Sequence, residues 1–254
     1  MLNDADLERY ARQVIMPDMG EAGQEALLAA KVLVVGAGGL GAPAMLYLVS
    51  AGVGNITIID DDMVSHSDLN RQIIYETQDI GGQKVKQAAA AARKLNPNIK
   101  LSTLPVRATI GNIRKLVAAH DVVVDCSDNV ETRYLLGDTA HREKTPLVFG
   151  GAVRTEGQIA VFQSGVTGFE DSPCFRCVFP AMPDTGQAPG CSEAGILGPV
   201  TGVIGSMQAL EVIKLVTGMG NSLTGRLMLF DGFNGSIMEI GTKKRSTCMC
   251  CGTN

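Results

Sequence analysis

Positive charge is scarce on this chain: 22 lysines and arginines face 26 aspartates and glutamates, for a formal net charge of -4 over 254 residues. Gripping a nucleic-acid duplex needs a surplus of Lys and Arg on one face, so this balance argues against such a partner. Local cations must do any phosphate work. The opening, Met1-Leu2-Asn3-Asp4-Ala5-Asp6, is acidic and has neither the pattern of a secretion signal nor that of a transit peptide. The most apolar stretch, Ile196 to Val216, is broken by Gln208, Glu211 and Lys214, which suits a core or interface helix better than a membrane span. These absences predict a soluble cytoplasmic protein with no membrane partner. The cysteines number seven, and an odd count disfavours a fully paired disulfide framework.

What is present fits one α/β domain over residues 1–254, since the 45% hydrophobic content is enough for a sizeable core. No internal repeat, low-complexity tract or domain boundary stands out. Helices near Asp4–Gln13 and Gly20–Ala29, within residues 1–30, lead into Lys31–Val35, a continuous apolar run suited to a buried parallel strand. The pattern then alternates. Helix to Ala51, strand Asn55 to Ile59, helix Gln83–Leu95, strand Leu101–Val106, helix Ile110–Ala119, strand Val122–Asp125, helix Glu131–Glu143 and strand Leu147–Gly150 predict a Rossmann-like, mostly parallel sheet with helices on both faces. Beyond Gly151, antiparallel strands should extend it: Gln158–Gln163, then Leu227–Phe230 and Ser236–Ile240 after helix Pro199–Val216. Pro180 to Gly190 is rich in turn formers and reads as a mobile loop.

Gly36-Ala37-Gly38-Gly39-Leu40-Gly41 lies between a strand and a helix, where bare backbone N–H groups and the helix dipole favour a phosphate. Roughly 20 residues on, Asp60 ends the second strand, where a carboxylate accepts hydrogen bonds from a ribose. NAD, FAD and ATP all fit those two features. Asn70, Arg71 and Lys84 discriminate, because cleaving ATP between its α and β phosphates puts charge on departing pyrophosphate that fixed cations stabilise. Hydride transfer makes no such demand. Asp62 reads equally as a solvated loop acid or a nucleotide contact. Asp125-Cys126-Ser127-Asp128-Asn129 occupies the carboxyl end of the fourth strand, the ligand edge of such sheets. There Ser127 or Asp128 would cap the next helix, and Asp128 is the candidate Mg²⁺ ligand.

Two C-x-x-C pairs, Cys174/Cys177 and Cys248/Cys251, match the four thiolates of a structural Zn²⁺ site that would clip the tail, residues 241–254, to the body. Redox-active dithiols are the rival reading, and Cys250 is a rival ligand. Cys191 follows the turn-rich stretch and is a candidate nucleophile or sulfur acceptor, or an incidental thiol. No histidine lies near it in sequence. His66, His120 and His141 read as surface residues, and Cys126 as packing.

Taken together, Arg9-Tyr10-x-Arg12-Gln13, the glycine loop, Asp60, Asn70-Arg71-Gln72, Lys84, the Asp125 motif, both cysteine pairs and Cys191-x-Glu193-Ala194-Gly195 resemble the MoeB/ThiF/HesA group of ubiquitin-activating-enzyme-like adenylyltransferases. The resemblance covers essentially the full chain. It implies that ATP adenylates the C-terminal Gly-Gly carboxylate of a ubiquitin-like sulfur carrier, MoaD-like or ThiS-like, releasing pyrophosphate. It further implies that Asp60 binds ribose, that Arg71 and Lys84 bind phosphates, and that Asp128 serves Mg²⁺. Arg12 would reach the triphosphate from the second subunit of a homodimer. A rhodanese-like extension is not seen after Cys251, so a separate protein is expected to donate sulfur. The rival functions are an NAD(P)-dependent oxidoreductase and a zinc-stapled nucleotide-binding scaffold without turnover. Carrier-dependent pyrophosphate exchange separates both from the main reading.

Overall fold

A computed structural model describes residues 1–182 and 194–252. Helices α1 (Asp4–Val14) and α2 (Gly20–Ala29) precede an alternating series: β1 (Lys31–Val35), α3 (Gly41–Ala51), β2 (Asn55–Ile59), α4 (Lys84–Leu95), β3 (Lys100–Leu104), α5 (Ile113–Ala118), β4 (Val122–Asp125), α6 (Val130–Glu143) and β5 (Leu147–Val153). Then come β6 (Glu156–Phe162), the short α7 (Phe175–Val178), the long α8 (Gly198–Thr217), β7 (Arg226–Asp231) and β8 (Ser236–Gly241). The turn-rich stretch from residue 183 onward and Cys191 lie outside the described residues.

The strands form one sheet in the order β3-β2-β1-β4-β5-β6-β7-β8. The first five run parallel and the last three antiparallel. β1 shows why the sheet is covered on both faces. Val32 and Val34 enter one apolar cluster with Leu27, Met45, Leu48, Val85 and Ile204, while Leu33 and Val35 enter a second with Ile113, Val117, Leu136 and Phe149. A strand whose residues all find apolar partners has no solvent face, hence the unbroken Val-Leu run. From β1 the chain winds outward through β2 and β3, then returns to place β4 on the other side of β1. That reversal opens a crevice at the carboxyl ends of β1 and β4.

By length and composition α8 is the one helix among the described residues apolar enough to cross a membrane, yet it packs on this sheet. Its buried Gln208 donates from Nε2 to the Asp125 carbonyl at 2.7 Å, and its buried Glu211 accepts from the Leu223 N–H at 2.8 Å.

Several boundaries differ from the sequence reading for local reasons. β3 stops at Leu104 because Pro105 follows and has no N–H for the ladder. α5 starts at Ile113, not Ile110: the Asn112 side chain accepts from Thr109 N–H and donates to the Arg107 carbonyl, each at 2.8 Å, which closes a turn there. β5 runs on to Val153 because β6 folds back on it as a hairpin. The cap of α6 is neither Ser127 nor Asp128 but Asn129, whose Oδ1 accepts from Thr132 N–H at 2.9 Å. His66 is exposed, but His120 and His141 are half-buried, bonded to Thr57 Oγ1 and Ser164 Oγ respectively.

Candidate active site

At the crevice the glycine loop turns sharply from β1 into α3. Gly36 has φ +98°, and a Cβ there would lie 2.6 Å from the Cys126 carbonyl oxygen, so only glycine lets the loop pass this close to β4. A Cβ on Gly41 would run into the Gly36 carbonyl. Behind the loop, the Tyr75 hydroxyl donates to the Ala37 carbonyl at 2.6 Å, with the Lys84 carbonyl 3.3 Å away. Burial, followed by the charges of Asp60 and Asp68, pushes that phenol well up, so it remains a neutral donor.

The loop roofs a cavity of about 400 Å³. Asp60, at the end of β2, faces it with both oxygens engaged: Oδ2 accepts from Ala37 N–H at 2.7 Å and Oδ1 from Asp62 N–H at 2.8 Å. Each oxygen keeps a second lone pair for a hydroxyl donor. Burial raises the Asp60 carboxyl, against the pull of those two N–H groups and of Lys84. Lys84 opens α4 and is buried; its Nζ lies 2.9 Å from Asp62 Oδ2 and 3.7 Å from Asp68 Oδ2. Although burial opposes its charge, the Asp62 hydrogen bond and the charges of Asp60, Asp62 and Asp68 prevail and the amine is raised. Arg71 donates to the Ser67 carbonyl at 2.8 Å and Asn70 Oδ1 at 3.1 Å, and its Nη2 is 3.4 Å from Asp68 Oδ1.

Across the cavity, Asp128 is exposed and makes no hydrogen bond among the described residues. The preceding acid of the motif behaves differently. Asp125 is fully buried, its Oδ1 accepting from Ser127 N–H and Oγ while Oδ2 finds no partner among the described residues. Burial pushes its carboxyl up, against the Arg133 charge and the Ser127 bonds. Arg133 donates to the Ser127 carbonyl at 2.9 Å and lies over the Phe149 ring. Asp128, Arg133 and Ala152 also line a second cavity of about 670 Å³, walled by Arg154, Gln158, Phe230 and Met238.

The structure therefore brings Gly36, Gly38, Gly39, Asp60, Asp62, Arg71, Lys84 and Asp128 together around one cavity. Arg12 is exposed on α1 and does not line this chain's own cavity. Asn70 and Gly41 do not line it: Asn70 Oδ1 accepts from Arg71, and Gly41 packs against the Gly36 carbonyl in the turn. Sequence reasoning missed Asp68, Arg107 and Arg133, all of which line the cavity. Arg133 sits one turn into the helix after the Asp125 motif, a position at the ligand edge that could have flagged it.

The Sγ atoms of Cys174, Cys177, Cys248 and Cys251, all buried, lie within 4.8 Å of one another. The spacings are 3.8 Å for Cys174–Cys177, 3.5 Å for Cys174–Cys248 and 3.3 Å for Cys177–Cys251. A tetrahedral ion with metal–sulfur bonds near 2.3 Å would set such edges at about 3.8 Å. The set therefore fits a closed four-thiolate site. The Cys177 sulfur also accepts from Arg245 N–H at 3.3 Å. Burial opposes ionisation of Cys248, but the N–H groups of Cys251 and Cys250 outweigh it and draw the thiol down to about 7.

Residues 10–250 match the model of the ThiF family. The chain is 42% identical to the sulfur carrier protein adenylyltransferase of Thermus thermophilus, over 97% of this chain and 91% of that one. It is 41% identical to the SAMP-activating enzyme E1 of Haloferax volcanii, over 99% and 91%. Among solved structures, E. coli MccB with ATP superposes with a TM-score of 0.85 at 20% identity, over 98% of this chain and 75% of that one, which shows a shared fold.

Proposed function

The chain belongs to the ThiF family, and from that premise we propose that it adenylates the C-terminal Gly-Gly carboxylate of a ubiquitin-like sulfur carrier, MoaD-like or ThiS-like. It is an adenylyltransferase of the kind its relatives are named for. A carboxylate oxygen of the carrier attacks the α-phosphorus of ATP. The bond from that phosphorus to the bridging oxygen breaks, and pyrophosphate leaves with the electron pair. The carrier is then an acyl-adenylate, from which a sulfur nucleophile can displace AMP.

Each residue has a separable task. Asp60 accepts from the ribose hydroxyls, and the N–H groups of the glycine loop meet the phosphates at the start of α3. Lys84 and Arg71 offset the charge that grows on pyrophosphate, an interaction stronger in the transition state than with bound ATP. Asp128 would hold Mg²⁺, whose contribution is to neutralise phosphate oxygens. Its free, exposed carboxylate fits that task, whereas Asp125, sealed under the motif, does not. Arg12 would act on the triphosphate of the partner subunit in a homodimer. Cys174, Cys177, Cys248 and Cys251 would hold Zn²⁺ as a staple, with no ligand position left for chemistry. The carrier's glycine tail would enter through the second cavity, which meets the first at Asp128 and Arg133. The sulfur comes from a separate donor in the cytoplasm, and Cys191 is the candidate acceptor on this chain.

The observation that carries the reading is the presence of Lys84 and Arg71 on the same cavity as the glycine loop and Asp60. The test is radiolabelled pyrophosphate exchange into ATP with purified MoaD-like and ThiS-like carriers, each with and without its terminal Gly-Gly. Exchange that requires an intact tail supports the proposal. No exchange with any carrier, together with quenching of NADH fluorescence on binding, would leave an oxidoreductase in its place. Unchanged adenylation and thiocarboxylate yield in Cys191→Ala would remove that thiol from the pathway.

A further inference from the structure

Among the described residues, Asp68 is the one acid of the cavity wall that is buried outright, only 6% exposed, and its carboxylate is crowded with donors. Oδ2 accepts from Ser65 N–H and Ser65 Oγ, both at 2.9 Å, and lies 3.7 Å from Lys84 Nζ. Oδ1 accepts from Gln72 Nε2 at 2.8 Å and from Arg71 Nη2 at 3.4 Å. Burying a charge is costly unless it is paired and bonded, and capping the turn at Ser65 needs only a neutral oxygen. The charge itself must serve something else.

Two details show what. Gln72 points its Nε2 at Asp68 although this leaves its own buried Oε1 without a partner among the described residues, so the carboxylate sets the amide's orientation at a cost. Lys84, moreover, is held by two acids of opposite character. Asp62 makes the closer contact, but its side chain is 66% exposed and free to swing into solvent when a phosphate arrives. Asp68 is fixed from four sides and stays.

We propose that Asp68 is a positioning residue: it aims Arg71 and Lys84 at the place where pyrophosphate departs, while Asp62 is the counter-ion that the nucleotide displaces. This rests on the adenylylation reading above. Asp68 touches no substrate atom in the scheme. Its effect is exerted through the two cations, whose misplacement by about 1 Å is enough to cost roughly a hundredfold in rate.

Asp68→Asn is the informative variant, because the fold can accommodate it. The amide oxygen stays on Ser65, and the new Nδ2 donates to Gln72 Oε1 once that side chain turns over, giving the orphaned atom a partner. The charge opposite Arg71 and Lys84 is lost, and with it the Arg71 Nη2 bond, since an amide nitrogen cannot accept. Wild-type enzyme is assayed first with MoaD-like and ThiS-like carriers; absence of exchange there defeats the adenylylation reading itself. With exchange established, kcat of Asp68→Asn is expected to fall at least about tenfold. KM for ATP stays level or drops, since the cavity has become more positive, and the melting temperature holds. In a cycle with Arg71→Ala, the penalty of Asp68→Asn should shrink, as expected for residues acting as a unit. An unchanged kcat overturns the proposal. So does a strictly additive cycle, or a variant that melts early and loses kcat and KM together, which would make Asp68 a structural residue only.

Discussion

Lys84→Met removes a cation from the cavity wall while keeping most of the aliphatic stem in place. At an effective dielectric near 20, a unit charge about 4 Å from a developing charge is worth about 4 kcal/mol. Asp62 at 2.9 Å and Asp68 at 3.7 Å already draw on that charge, so part of the gain is offset. About 2–3 kcal/mol remains, close to the loss seen when one preorganised donor is removed from a charged transition state. That corresponds to a fall of about 30- to 160-fold in kcat for carrier-dependent pyrophosphate release. KM for ATP should move far less, because Arg71 and the glycine loop still meet the phosphates. Stability should change little: Asp68 keeps its bonds to Ser65, Gln72 and Arg71, and Asp62 returns to solvent.

The pH dependence is a second check on the same residue. The folded state raises the Lys84 amine above its ordinary value, so its stabilising contribution is whole below the usual lysine range and disappears as pH climbs past the raised value. Between about pH 6 and 9 the wild-type kcat should therefore show no limb that Lys84→Met abolishes. Steady-state pyrophosphate release, measured with ATP varied at saturating carrier, tests both points. A kcat within about threefold of wild type would refute the electrostatic reasoning, since even 1 kcal/mol of lost stabilisation exceeds that.

Other perturbations separate the remaining parts. Gly36→Ala forces a Cβ to 2.6 Å from the Cys126 carbonyl at φ +98°, and should cost about 2–3 kcal/mol by chemical denaturation while abolishing ATP binding; a wild-type midpoint would count against the close approach. Elemental analysis of purified protein should give one zinc per chain, and Cys248→Ser should lose it and lower the melting temperature; a disulfide-linked Cys174/Cys177 pair without metal would favour redox dithiols instead. If Arg12 serves the opposite subunit, mixing Arg12→Ala with Lys84→Met should restore about a quarter of wild-type activity, because half the dimers carry one intact site. Failure of any recovery, with mixed dimers demonstrated, would place Arg12 in its own chain's site, whereas Arg12→Ala active by itself would place it in none.

How much of this was legible beforehand depends on the range of the interactions involved. β1, β2 and β4 were readable to the residue because their apolar runs report burial directly, and the glycine loop, Asp60 and Asp128 followed from position at strand ends. β5 was cut short because its last residues are extended only by pairing with β6, and nothing local in Gly151-Ala152-Val153 announces a hairpin partner. That the two cysteine pairs meet depends on the tail after β8 coming back to Cys174 and Cys177, which spacing suggests but does not dictate. Asp68 escaped for a different reason. In sequence it is one acid beside a serine and a histidine, indistinguishable from a turn former, and its importance arises only when the chain brings Lys84 and Arg71 to its two oxygens. Cations that would grip a triphosphate can be named from a sequence by type, but the acids that hold them in aim before the nucleotide arrives belong to the folded geometry. A site of this kind must keep its positive groups both buried and unspent. Pairing Lys84 with one fixed acid and one releasable acid does that, which no count of charges along the chain could reveal.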